Sequence, residues 1–391
     1  MEEALRLVLE RVRPLQAEPV ALADAAGRVL AEPAVAAVDL PPFDSSAMDG
    51  YAVRAADTPG ELPVVFRIAA GRPASRPLGS GEAMGISTGG AVPAGADAVI
   101  PVEYVVERDN SVAIDRAVAA GADVRPRGGD ARRGDVVVAA GERLGPAQLG
   151  ALAAAGVAKV FCARRPRAAV LTTGSELRSP GEPLEPGQIY EANGVILAAQ
   201  LASAGAEVKR LAPAADEPAA HREALRLGLE ADVLVTSGGV SVGPHDLVRS
   251  VGGELGIEEV FWRVAVKPGK PLWFGVRGET LVFGLPGNPV SALVCFELFV
   301  RPAVVALQGL ADSAPRFARG TLAAPARRND ARDELVRARS SVEGDEVVLR
   351  PVAGQESHMI VRAAEADALV LVPRGEGELA AGERVRYLRL D

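Results

Sequence analysis

Cysteine and histidine are scarce in this chain of 391 residues: it has Cys162 and Cys295, and His221, His245 and His358. No CxxC pair occurs, and the histidines lie far apart. That pattern argues against a zinc or other transition-metal site built by the protein alone. Both cysteines sit in apolar surroundings and read as buried free thiols of a reducing, cytoplasmic setting. Aromatics reach only 4%, so Val, Leu and Ala must fill the cores, and hydrophobics at 48% suffice for that. Positive charge is short too, with 43 Lys and Arg against 51 Asp and Glu, net −8. That argues against a nucleic-acid partner, so a local basic site must meet any anionic ligand. No apolar run is read as membrane-spanning, and Met1 to Arg13 reads as a charged amphipathic helix rather than a signal peptide. No membrane partner is expected.

Glycine (42) and proline (29) are abundant and punctuate apolar runs, without internal repeats or low-complexity tracts. The length suits two to four domains. Residues 1–32 read as two helices, EEALRLVLERV and ALADAAGRVLAE. Short apolar runs between Gly/Pro turns mark a β-rich domain over 40–132. The segment after it, with the helix PAQLGALAAAG, is expected to pack back on the start of the chain, giving a discontinuous, elongated N-terminal domain of 1–39 and 133–165. From 166 to 312, strands alternate with helices: RAAVLTTG, NGVILAAQLASAG, AEVKRLAPA, EPAAHREALRLGLE, ADVLVTSGG, HDLVRSVGGELG, FWRVAVKPGKP, TLVFGLPG and a long last helix. That order predicts an α/β domain, a doubly wound, largely parallel sheet covered on both faces. Short strands return over 313–391, implying a C-terminal β domain.

In an open α/β sheet, ligands bind outside the carboxyl ends of the strands. Three such ends carry glycine: Thr173-Gly174-Ser175 after Thr172, Ser237-Gly238-Gly239 leading to Ser241, and Pro286-Gly287-Asn288-Pro289. Glycine lets the backbone approach a ligand, and each following helix offers free N–H groups. One such loop is weak evidence, whereas three on one sheet point to a phosphate or nucleotide-like ligand. A Walker A motif is missing, because Gly269-Lys270 is followed by Pro271, and no GxGxxG occurs.

Lys267-Pro268-Gly269-Lys270-Pro271 sets two cations on a proline-stiffened loop, with Arg263 four residues upstream. Alone it suits a solvated turn; beside three glycine loops it reads as an anion clamp. Glu176, Asp216 and Asp246 stand at the same loops. Each also suits a helix cap or first-turn acid. Together, acids beside an anion site suggest Mg²⁺, which takes one or two carboxylates plus phosphate oxygens. Gly239-Val240-Ser241-Val242-Gly243 matches the nucleophile elbow of hydrolases. Only His358 follows it in the order a triad needs, and that residue falls in the C-terminal β region, so hydrolase chemistry is disfavoured.

These motifs resemble the MoeA/gephyrin E-domain family, the molybdopterin molybdenumtransferases. PPFDSSAMDGYAVR, STGGAVPAGADAV, VRPRGGD, TTGSEL with GQIYEAN, TSGGVSVGPHD, FWRVAVKPGKP and GLPGNPVSAL resemble its motifs in its order, along almost the whole chain. The resemblance implies four subdomains, a C-terminal barrel-like β domain and a homodimer. It implies Mg²⁺-dependent insertion of molybdate into adenylylated molybdopterin, releasing AMP. It ties Asp49, Thr88, Glu176, Asp216, Asp246 and Lys267 to activity, and with them Arg125, Asp130, Arg263, Pro286 and Pro289. Arg332 is expected to offer positive charge from the C-terminal domain. Contacts with the pathway's adenylyltransferase and with molybdoenzyme chaperones are implied as well. The alternatives are that adenylyltransferase activity itself, or a non-catalytic scaffold. The chain departs from the family pattern at Gly90, Gly129, Arg263 and around Gln355-Glu356-Ser357.

Overall fold

A computed structural model describes residues 1–240 and 247–390. Its centre is a six-stranded sheet in the order Glu207–Arg210, Arg167–Thr172, Val233–Ser237, Thr280–Leu285, Trp273–Arg277, Glu258–Trp262. The first four strands are parallel and the last two antiparallel, so the sheet is largely parallel, as the alternating pattern predicts. Val233–Ser237 is buried at every position, which fits a strand covered on both faces. One face carries the helices Asn193–Ser203 and Pro289–Cys295, the other Pro218–Gly228 and Leu247–Glu254.

Trp273–Arg277 is a strand that no turn signal sets apart from the KPGK loop. Trp273 and Phe274 bury fully there, and Phe274 stacks on Phe283 at 4.8 Å. The last helix runs on from Pro289 to Leu307 with a wide π turn at Phe296–Val300. Pro302, which has no N–H to donate, follows that turn. This run corrects one expectation: over 19 residues with mean hydropathy 2.0 it is long and apolar enough to cross a membrane. It is 83% buried inside the domain, as the core helix of an α/β fold is.

The strand Ala17–Ala21 pairs with Lys159–Ala163, and Ala34–Val35 with Val136–Val138. Val20, Leu30, Leu144, Leu152, Val160 and Cys162 close one core between these distant segments. Two expectations for the start of the chain change. The second expected helix is instead a short 3₁₀ turn at Leu22–Asp24 followed by turns, because Val29 and Leu30 bridge to Arg143 and Cys162 of the later segment. The helix Glu2–Leu9 forms, but its Ala4 and Val8, and Val12 beyond it, bury in the α/β core rather than in the N-terminal one.

Residues of the 40–132 stretch form a six-stranded sheet ordered Ala98–Pro101, Gly50–Val53, Ala83–Ile86, Gly60–Ile68, Ser111–Ile114, Val106–Glu107. Near the C-terminus, Asp333–Glu343, Glu346–Pro351, Phe317–Leu322, Arg384–Arg389 and Ala368–Val372 pair in a closed ring, a barrel without a free edge. One short strand from the α/β domain, Val266–Lys267, pairs in parallel with Asp333–Glu334 of this barrel.

Candidate functional site

The three glycine loops converge at the carboxyl edge of the parallel strands. The Thr173 N–H donates to Ser237 O at 3.1 Å, and the Gly238 N–H donates to Leu285 O at 3.1 Å. Gly238 has φ +95, and a Cβ there would stand 2.6 Å from Thr173 Oγ1 and 2.8 Å from Thr173 O. Only glycine fits both the conformation and the space. Asn193, at the start of its helix, knots the loops. Its amide donates to Ser237 Oγ at 2.8 Å and to Gly287 O at 2.7 Å. The Ser237 hydroxyl in turn donates to Pro286 O at 3.1 Å. Ser237 is therefore placed in the loop cluster, but its buried hydroxyl is committed to the protein. Ser241 and Asp246 lie outside the described residues.

Two acids flank the first loop. Asp216 is not the N-cap of the helix Pro218–Gly228; Glu217 holds that position. The Asp216 carboxylate instead accepts from the Ser175 N–H at 3.1 Å, and the Ser175 hydroxyl accepts from the Asp216 N–H at 3.1 Å. The Glu176 carboxylate folds over Gly174, where any side chain would collide with it. Both acids are exposed. Among the described residues no group of three His, Cys, Asp or Glu side chains could hold a metal ion.

At the third loop, Asn288 precedes Pro289, the first residue of its helix. The Asn288 amide donates to Ser357 Oγ at 2.8 Å, and the Val290 N–H donates to Ser357 O at 3.1 Å. The divergent stretch around Ser357 is thus tied directly to the glycine loop.

The cations sit on the barrel side. The Arg263 N–H donates to Leu272 O at 2.8 Å and the Val264 N–H to Lys270 O at 2.9 Å, which closes the KPGK loop. This geometry brings Arg263, Lys270 and Arg332 to the wall of one cavity of about 610 Å³. Lys267 points elsewhere. It lines a neighbouring cavity of about 480 Å³ and pairs with Glu334 at 3.0 Å. The two lysines therefore line separate cavities, and Asn329 and Asp330 line both. Among the described residues, Arg263, Lys270 and Arg332 have no carboxylate within ion-pair distance. Arg263 has φ +73, a conformation that costs a non-glycine residue about 1–3 kcal/mol. Its guanidinium lies 3.9 Å from the ring centroid of Trp262. Behind the loop, Cys295 is fully buried, and burial pushes its thiol up to about 12.

The remaining candidates gather in the β-rich domain. Asp49 Oδ1 accepts from the Thr88 N–H at 2.7 Å and its hydroxyl at 3.1 Å. Arg125 reaches Ala47 O at 3.4 Å, and the Asp130 N–H donates to Leu40 O at 2.9 Å. Among the described residues, no hydrogen bond or ion pair joins these four to the α/β loops. Sequence reasoning assigned no role to Asn193, Trp262 or Glu334. Asn193 had one signal, a polar residue opening an apolar helix; the other two are defined by contacts with distant segments.

A largely parallel α/β sheet with glycine loops at its carboxyl edge, joined by a strand to a C-terminal β-barrel, defines a multidomain α/β class. Three family models tile the chain: the MoeA N-terminal region (domain I and II) over 1–156, the probable molybdopterin binding domain over 169–306, and the MoeA C-terminal region (domain IV) over 319–390. The chain belongs to the molybdopterin molybdenumtransferase (MoeA) family. It is 39% identical over 401 residues to molybdopterin molybdenumtransferase 2 of Mycobacterium tuberculosis, covering 99% of this chain and 98% of the relative. It is 35% identical over 393 residues to the molybdopterin molybdenumtransferase of Haemophilus influenzae, covering 98% and 97%. A crystal structure of the molybdopterin biosynthesis MoeA protein from Pyrococcus horikoshii superposes with a TM-score of 0.86 at 30% identity, covering 99% of this chain and 98% of that one.

Proposed function

We propose that this enzyme inserts molybdate into adenylylated molybdopterin in the presence of Mg²⁺, releasing AMP and molybdenum cofactor. One observation carries the proposal: a glycine-loop cradle, with Asn193 and Ser237 committed internally, stands at the same sheet edge as a cavity of three cations that form no ion pair among the described residues. The first suits a pyrophosphate, met by backbone N–H groups; the second suits an oxyanion. The substrate brings its own sulfur ligands and its own leaving group. The protein then needs binding, alignment and charge compensation, with no covalent nucleophile.

Glu176 and Asp216 fit a Mg²⁺ role, since both are exposed at one loop and Asp216 keeps one oxygen free of the Ser175 bond. Asp246 completes the proposed set. Mg²⁺ would neutralise charge on the pyrophosphate. Arg263, Lys270 and Arg332 would hold molybdate, and Lys267 would act from the adjoining cavity. Asp49, Thr88, Arg125 and Asp130 would close the cleft from the second protomer of a homodimer. A cytoplasmic location agrees with the two buried free thiols. Passing substrate and product directly would involve the adenylyltransferase and a molybdoenzyme chaperone.

The test is incubation with adenylylated molybdopterin, Mg²⁺ and molybdate, scoring AMP and active cofactor. AMP released in step with molybdate supports the assignment. Folded protein that releases none overturns it. Adenylylation of molybdopterin by ATP with release of pyrophosphate would indicate the adenylyltransferase instead, which the full-length relatives do not favour.

A further inference from the structure

Trp262 ends the edge strand Glu258–Trp262 and touches both halves of the site. Its indole N–H donates to Val240 O at 3.3 Å, holding the end of the Ser237-Gly238-Gly239 loop. Its ring carries the Arg263 guanidinium at 3.9 Å and the Arg249 guanidinium at 3.8 Å. The two arginines are not equivalent. Arg249 is neutralised by Glu259 at 2.8 Å, and Glu259 also accepts from Trp273 Nε1 at 2.9 Å. Arg263 has no carboxylate partner among the described residues and lines the cavity with Lys270 and Arg332. A flexible cation would choose among many rotamers, whereas one held over an indole ring, with its backbone in the left-handed region, is limited to few orientations.

Resting on the function proposed above, we infer that Trp262 is a positioning residue that couples the two ligand sites. Its ring orients Arg263 toward the oxyanion, and its N–H ties that orientation to the glycine loop. A ligand that fixes the loop fixes Val240 O, then the indole, then the Arg263 guanidinium. The adenylate end of the substrate thereby raises affinity for the oxyanion, and by reciprocity the oxyanion raises affinity for the adenylate.

Two variants separate the ring from the N–H. Tungstate, as the oxyanion probe, is titrated calorimetrically into the full chain with and without saturating AMP and Mg²⁺. Wild type binds tungstate several-fold tighter when AMP is present. Trp262→Phe keeps a ring under Arg263 and loses the bond to Val240 O, so its affinity without AMP stays within about threefold of wild type while the AMP effect disappears. Trp262→Leu loses both, so its affinity falls roughly tenfold without AMP and by more with AMP, because the AMP effect disappears as well. Thermal melts report folding; if Trp262→Leu does not fold, Trp262→Phe carries the test. A folded Trp262→Phe that retains the full AMP effect overturns the inference, as does a wild type with no AMP effect. Wild type that shows the coupling yet releases no AMP from adenylylated molybdopterin fails the functional proposal alone.

Discussion

The glycine loops and the cation cavities lie at the same edge of the sheet but are built by opposite means. The loops are made of backbone, with Asn193, Ser237 and Thr173 spending their polar atoms on neighbouring loops. The cation side is made of long side chains, three of which meet no acid among the described residues. Among the described residues, the first region is held together by hydrogen bonds between its own loops. The second gathers three cations beside a single lining carboxylate, Asp330, which leaves net positive charge for an anionic ligand. Substitutions should therefore separate stability from binding, region by region.

The largest effect is expected at Gly238. Gly238→Ala meets both a left-handed φ and the Thr173 carbonyl, and should cost about 3 kcal/mol in urea unfolding. Next comes Asn193→Ala, which leaves Ser237 and Gly287 without their partner. A loss of about 2 kcal/mol is expected, with a matching fall in AMP affinity. A loss below about 0.5 kcal/mol would mean that water replaces the amide and that the loops are not knotted by it. The smallest stability effect should come from Lys270→Gln, within about ±0.5 kcal/mol, because among the described residues no ion pair holds its ammonium. Its tungstate affinity should nevertheless fall by at least tenfold, or about 1.4 kcal/mol. Lys270→Gln that unfolds easily but binds normally would erase the contrast between the two regions.

The backbone-built region was largely legible in the sequence, because strand, glycine and helix start succeed one another within a few residues. TTGS, TSGG and GLPGNP announce their positions locally. The charge-built region was legible only as residue types. KPGK suggested one clamp, and the structure divides it: Lys270 joins Arg263 and Arg332, whereas Lys267 pairs with Glu334. Nothing in the pattern of residues 263–271 points to Glu334, which arrives from another domain. The same limit explains the start of the chain. ALADAAGRVLAE has helix-forming alanines, yet Val29 and Leu30 bridge to Arg143 and Cys162, and tertiary contacts override propensity.

The pairing of Val266–Lys267 with Asp333–Glu334 has a consequence for how this molecule can be taken apart. Family models draw the α/β and C-terminal regions as separate modules, over 169–306 and 319–390. The ladder crosses that border, so the border is not a seam. Excising the C-terminal module would strip Lys267 of its backbone partner and its counter-ion in one cut, and would leave the Lys270 cavity with no Arg332 on its wall. The α/β unit can be borrowed as a fold, but the charge chemistry of this protein is indivisible property of both modules.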